Sequence, residues 1–492
     1  MSGVLAADVA VVGSGISGML VARACLQAGL EVVVLERGGL RTHAEQVAGG
    51  LEADVDGARH NHETAPGTPA YPWDYVYGVG GSSLHWSGHA PRLQPEDLRM
   101  HSTHGIMEDW PIGYEALEPF YERAEAALAV AAAPGGQPAH PLSPMDRVVA
   151  PLLEPFSALP QARPSVPVGR RPACCGAAVC ALCPVDSRYS VLNACEDVLE
   201  HPGLHLATET VAARLQLDGT GRRAVGVDAL DRRREPVQVR ARTFVLAASG
   251  FENPALLLRS GLERPATGRY LFDHQHRTLW LRVRDPVGAG EGHTISTGYS
   301  TALLEGEFRA RHSGALAVLF NPGIPVVGHV ADALLAGSAG PAVRAEAADA
   351  WRRTLPFDLL LEDHPRPERR VTLSSRRDAL GLPLVRVAYP PPSAYEEDGH
   401  RAAVAEIVRR LEPLGVEAAE ERPAPAGAHL LGTCRMGAGD QAVVDSDLRH
   451  LDVENLFVAG GSAFPTYSPS HPTLTIAALA IRAGERVAAE LA

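Results

Sequence analysis

Residues 8–37, DVAVVGSGISGMLVARACLQAGLEVVVLER, decide the fold. The pattern predicts a strand over 8–12, a glycine-rich turn over Gly13-Ser14-Gly15-Ile16-Ser17-Gly18, a helix to about residue 29, and a strand over 31–35 that ends at Glu36 and Arg37. Gly13 permits a tight turn, Gly15 lets the main chain approach a pyrophosphate, and Gly18 lets helix and strand pack closely. The diphosphate would sit on the helix N-terminus at Ile16 and Ser17, where unpaired N–H groups and the dipole favour an anion. Glu36 stands where an acid can accept from ribose hydroxyls. Glycine-rich turns without a ligand share the bare G-x-G-x-x-G pattern. Here the strand, the helix and the acid together select a dinucleotide-binding βαβ unit.

A chain of 492 residues exceeds one hydrophobic core, so two domains or a discontinuous pair are expected. Lys and Arg number 45 against 58 Asp and Glu, a net charge of −13, which argues against a nucleic-acid partner. No run of about 18 apolar residues suggests a membrane span. The first strand begins almost at the N-terminus, leaving little room for a signal peptide, so the expected location is cytoplasmic. In that reducing setting the seven cysteines are expected as thiols or ligands.

Further on stands Gly78-Val79-Gly80-Gly81-Ser82-Ser83-Leu84-His85-Trp86-Ser87-Gly88. Its glycines and small hydroxyls let main chain lie against something flat or charged. With the opening fingerprint and the block Asp109-Trp110-Pro111-Ile112 … Leu117-Glu118-Pro119-Phe120-Tyr121, this loop resembles the glucose–methanol–choline (GMC) oxidoreductases, and most of all their bacterial sugar and polyol dehydrogenases and pyranose oxidase. The resemblance implies FAD as cofactor, with Gly80, Gly81, Ser82, Trp86 and Ser87 pressed on the flavin ring. It also places His85 where some members carry a covalent histidyl link to the flavin. Thr208 and Val211 fall where the family meets adenine through backbone groups.

Cys174, Cys175, Cys180 and Cys183 lie within ten residues, and the last three have C-x₄-C-x₂-C spacing. That spacing wraps thiolates around an iron–sulfur cluster; a structural zinc site or a redox-active Cys180–Cys183 pair also fits it. Similar dehydrogenases pass flavin electrons through such a cluster, but this chain has one residue fewer between its last two cysteines. The electron acceptor is therefore expected to be a protein reached through the cluster, or O2.

Alternation begins at residue 278, and 370–373 with 384–387 read as its continuation, an antiparallel sheet. Ser393-Ala394-Tyr395-Glu396 is a capping box opening a helix to about residue 411. Residues 205–217 read as paired strands. The expected architecture is α/β with an α+β second domain: a discontinuous Rossmann-like FAD-binding domain (1–110, 190–270, 425–492), an inserted segment with the cysteines (111–189), and an antiparallel-sheet substrate domain (271–424).

Two histidine-bearing blocks carry the expected chemistry: His429-Leu430-Leu431-Gly432-Thr433-Cys434, and Gly460-Gly461-Ser462 leading to Ser470-His471-Pro472-Thr473. Gly461 and Thr473 are expected against the cofactor, with the helix from Pro472 aimed at the flavin's pyrimidine end. Oxidising an alcohol needs a base for the hydroxyl proton and a second group to orient that oxygen. An imidazole with a pKa of about 6.5 suits the first role. The resemblance brings both roles to His471 and His429, with His471 read as the base. The expected substrate is a small sugar, amino sugar or polyol, and the expected partners include neither nucleic acid nor membrane.

Overall fold

The protein is described by a computed structural model covering residues 4–50, 61–69, 71–178, 180, 182–321, 326–423 and 427–492. Val9–Val12 and Val32–Leu35, all-aliphatic and wholly buried, lie side by side in a five-stranded parallel sheet. Its order is Leu456–Val458, Thr243–Leu246, Val9–Val12, Val32–Leu35, Leu204–Ala207. A strand buried on both faces has no polar alternation, which is why these segments read as continuous apolar runs. The helix Ile16–Gln27 covers one face together with Thr473–Leu491, the final helix. Gly484 permits their close approach, since a Cβ there would lie 2.9 Å from the Ala24 methyl. The sheet is therefore assembled from both ends of the chain and its middle, as the discontinuous reading expects.

Residues 205–217 do not pair with one another. Leu204–Ala207 closes the parallel sheet, whereas Thr210–Leu217 pairs antiparallel with Ala224–Asp231 in a separate four-stranded sheet. Glu209, with a left-handed φ of 51°, turns the chain from one sheet to the other.

The second layer is a six-stranded antiparallel sheet ordered Val416–Pro423, Gln275–Val283, Thr354–Leu361, Ala315–Phe320, Ser296–Ser300, Phe156–Ala158. Leu279, Leu281, Leu355, Phe357 and Leu359 form its core beneath the helix Ala394–Leu411. The capping box holds that helix start, with Ser393 N–H donating to the Glu396 carboxylate at 2.6 Å.

The strands Arg370–Arg377 and Pro383–Ala388 do not continue this sheet. They form a three-stranded one with His62–Thr64 from the N-terminal third, under an aromatic cluster that includes Trp73, Tyr75, Phe251 and Tyr389. The segment expected as an insertion likewise gives its strand Phe156–Ala158 to the six-stranded sheet. No helix among the described residues is long and apolar enough to cross a membrane.

Candidate active site

A cavity of about 570 Å3 runs between the parallel sheet and the six-stranded sheet. At one end it is lined by Gly13, Gly15, Ile16, Ser17, Glu36, Arg37 and Val211; its middle meets Gly81, Ser82, His85, Trp86, Ser87, Gly461 and Thr473; its far end meets His429 and His471. Gly18 and Gly80 stand behind it. A Cβ on Gly18 would lie 1.9 Å from the Gly13 carbonyl oxygen, and Gly80, at φ 104°, turns the loop under Leu84.

Residues 13–18 fold as the motif requires. Gly13 adopts φ 103°, and a Cβ there would lie 2.5 Å from the Ala247 oxygen. Gly15 has open space around it, and the helix it precedes has no side-chain cap and no acid in its first turn. Its orphan N–H groups and dipole are left for an anion in the cavity. The same holds for the helix Thr473–Leu491, which starts at Pro472 with neither side-chain cap nor first-turn acid. Two helix N-termini thus point at one long cavity, and the donor set fits a dinucleotide.

Glu36 is buried, and burial raises its pKa against four bonds that favour the carboxylate. Its Oε2 accepts from Ser14 N–H (3.1 Å) and the Ser14 hydroxyl (2.7 Å), while its Oε1 accepts from Gly38 N–H (2.8 Å) and Gly78 N–H (3.1 Å). The acid that reads as a ribose acceptor therefore also ties the fingerprint to the Gly78–Gly81 loop. Arg37 is engaged by Asp378 at 2.7 Å and Glu252 at 3.5 Å.

The far end holds a constellation of five imidazoles. Nε2 of His471 lies 3.1 Å from Nδ1 of His89, and Nδ1 of His429 lies 3.1 Å from Nδ1 of His274. The ring centroids of His429 and His471 are 6.2 Å apart, and His276 stacks 6.1 Å from His429. Behind His429, Asp273 is wholly buried. Its Oδ1 accepts from the backbone N–H of His429 (3.1 Å) and of His274 (2.7 Å) and lies 3.4 Å from the His429 Nδ1.

Burial and the neighbouring imidazoles hold His471 and His274 well below the ordinary histidine range, and burial beside Arg163 brings His89 down to about 3. His276 moves the other way: burial opposes its charge, but Asp358, with Oδ1 at 3.4 Å, outweighs burial.

Both ends of this chain match the GMC oxidoreductase description, over residues 77–276 and 365–480, and a Rossmann-like NAD(P)-binding model matches 11–70. The chain belongs to the GMC oxidoreductases. It is 30% identical to the paromamine 6′-oxidase of Streptomyces fradiae over 98% of this chain and 92% of that one. It is 27% identical to the fructose dehydrogenase large subunit of Gluconobacter japonicus over 99% and 98%. A solved pyridoxine 4-oxidase from Mesorbium loti superposes with a TM-score of 0.62 at 18% identity, covering 97% and 98%, and so shares the fold. This GMC oxidoreductase is accordingly an FAD enzyme acting on CH–OH groups.

The four cysteines do not form a single-ion site. Cys175 is exposed, Cys180 and Cys183 are buried, and no three of the sulfur atoms lie within 4.8 Å of one another, so no single ion is enclosed. Cys183 Sγ accepts from Ser187 N–H at 3.2 Å, and burial raises the Cys174 thiol. The loop does border the cofactor end: Arg188 donates to the Cys180 oxygen (3.0 Å) and to the Leu84 oxygen (2.6 Å). The residues that could share a metal ion are instead His274, His276 and His429, whose ligand atoms lie within 4.8 Å of one another.

The sequence reading missed His89, His274 and His276. His274 immediately precedes the strand Gln275–Val283 that carries His276, their ring centroids are 5.6 Å apart, and the H-x-H spacing was the available signal. His89 carried none beyond its place four residues after His85.

Proposed function

We propose that this protein oxidises a hydroxyl group of a sugar, amino sugar or polyol-like compound to a carbonyl, with His429 as the base and His471 orienting the reacting oxygen. Bound FAD supplies the hydride acceptor. What supports His429 is one chain of hydrogen bonds. The Ser468 carbonyl, 3.0 Å from His274 Nε2, can only accept, so that nitrogen carries the proton of His274. His274, kept neutral by burial, then offers a bare Nδ1 that the Tyr467 hydroxyl also meets at 3.2 Å, and a His429 proton on the Nδ1 facing His274 and the Asp273 carboxylate satisfies both. The lone pair of His429 is left on Nε2, where a base needs it. As the substrate proton arrives there, the Asp273 carboxylate stabilises the new imidazolium.

His471 has no such carboxylate and is held neutral by burial, which makes it a weaker proton acceptor than the sequence reading had it. Its Nε2 meets His89 Nδ1 at 3.1 Å, so it holds the hydroxyl oxygen by sharing or exchanging that bond. The wall of Ile295 and Phe320 opposite keeps water from the reacting carbon. No step is drawn through a cluster at the cysteine loop, and we place the terminal acceptor as O2 or a redox protein.

Replacing His429 by Asn is expected to slow anaerobic flavin reduction by roughly 10²–10⁴ with FAD still bound. Replacing His471 by Asn is expected to slow it less and to weaken substrate binding. A His429→Asn enzyme that reduces its flavin at near wild-type rate refutes the assignment.

A further inference from the structure

We infer that the far end of the cavity takes a cationic substrate, and that Asp358 receives its ammonium group. The inference rests on the oxidation reading above and narrows its substrate class to hydroxyl compounds that carry an amine.

Asp358 lies on the strand Thr354–Leu361, in the interior of the six-stranded sheet, opposite Thr278 on one neighbour and Val318 on the other. Its sequence neighbours Phe357 and Leu359 face the apolar core, so Asp358 points to the opposite face, where it lines the cavity with His276, Ile295 and Phe320. A carboxylate in the middle of an otherwise aliphatic sheet is costly unless it is matched. The other acids beside this region are matched: Glu362 and Asp97 by Arg309, Asp363 by Arg369, and Asp273 by two backbone N–H groups and the Tyr71 hydroxyl. Asp358 is not matched to that degree. Its Oδ1 meets His276 Nδ1 at a long 3.4 Å, and its Oδ2 accepts no hydrogen bond among the described residues. The side chain is 24% exposed, and the surface it exposes is cavity wall.

His276 meets one Asp358 oxygen and leaves the other open to a cation. Arg37 and Arg259, the arginines of the cavity lining, stand at the fingerprint end beside Glu252, and no lysine lines the cavity. The imidazoles nearest Asp358 are His89, held neutral, and His276, which already leans on one of its oxygens. A net charge of −13 draws cations toward the molecule. Geometry sets the spacing. Asp358 lies just beyond His276, whose ring centroid is 6.1 Å from that of His429, so the amine would sit about one sugar ring away from the hydroxyl at the base. The Phe320 ring in the same wall suits a sugar face. A neutral polyol could offer the second carboxylate oxygen only an uncharged hydroxyl donor, and an anionic sugar would be repelled by it.

The test measures binding to the oxidised holoenzyme by calorimetry, with three probes: paromamine, glucosamine and 2-deoxystreptamine, each beside its N-acetylated form. Wild type is expected to bind at least one free amine about tenfold to a hundredfold more tightly than its acetylated partner, the range of a charge-assisted hydrogen bond. Asp358→Asn should erase the difference with FAD content unchanged, and Asp358→Glu should retain part of it. Equal binding of both forms by wild type, an amine preference that survives in Asp358→Asn, or no binding of any of the three amines overturns the proposal. Anaerobic mixing separates it from the oxidation reading. Amine-selective binding with no flavin bleaching by any sugar removes that reading alone, and bleaching by acetylated and neutral sugars without amine preference removes only this one.

Discussion

Replacing Asp273 by Asn removes one negative charge while keeping the side chain's shape. Its oxygen can still accept from the His429 and His274 backbone N–H groups, so the two histidines stay placed. What is lost is the carboxylate 3.4 Å from the His429 Nδ1 at the moment Nε2 takes up a proton. At that distance, with an effective dielectric of about 20, the attraction is about 5 kcal/mol. The asparagine carbonyl dipole retains part of it, so about 3–5 kcal/mol of transition-state stabilisation is at stake. At about 1.36 kcal/mol per tenfold, the rate of flavin reduction should fall roughly 10²–10⁴-fold. The assay is anaerobic stopped-flow bleaching of the oxidised flavin, with FAD content as control. A variant that reduces its flavin within threefold of wild type refutes the argument that Asp273 supports the base.

Further perturbations test the fold and the histidine cluster. Gly13→Ala puts a Cβ 2.5 Å from the Ala247 oxygen at φ 103°, so FAD content should collapse and stability in urea should drop by at least about 1–3 kcal/mol. His89 has a native pKa of about 3 against roughly 6.5 unfolded, so its neutral ring contributes stability that is complete above 6.5 and is lost as pH falls toward 3. Between pH 6.5 and 5 that loss is about 1.4 kcal/mol per pH unit, and His89→Gln should show a melting-temperature slope shallower by one proton. Zn2+ should inhibit flavin reduction competitively with substrate by occupying His274, His276 and His429, and His276→Gln should weaken that inhibition at least tenfold.

Much of this molecule is legible in local sequence because its cofactor end is built from local rules. Residues 8–37 state their strand, turn and helix by spacing alone, and Ser393 with Glu396 announces a helix start. His429 and His471 could be singled out because the resemblance to the family brings both to the reacting end. What local pattern does not contain is pairing. Nothing in 370–388 says that His62–Thr64 will be its sheet neighbour, and nothing in 205–217 shows that Glu209 will turn the chain from one sheet into another. The base is subject to the same limit. The resemblance favoured His471 as the base, and the contacts that favour His429 come from Asp273 and His274, some 155 residues earlier in the chain. The His89–His471 bond spans 382 residues. The cysteine loop is the converse case: a suggestive local spacing whose sulfur atoms do not form a single-ion set.

The most direct test of the account is an anaerobic titration of the holoenzyme with an amine-bearing sugar alcohol, following the flavin band and the organic product together. The account predicts one equivalent of carbonyl formed per flavin bleached, and a rate that slows when the carbinol hydrogen is replaced by deuterium. A flavin that stays oxidised with every amino sugar, sugar and polyol tried, or bleaches without carbonyl product, would contradict it.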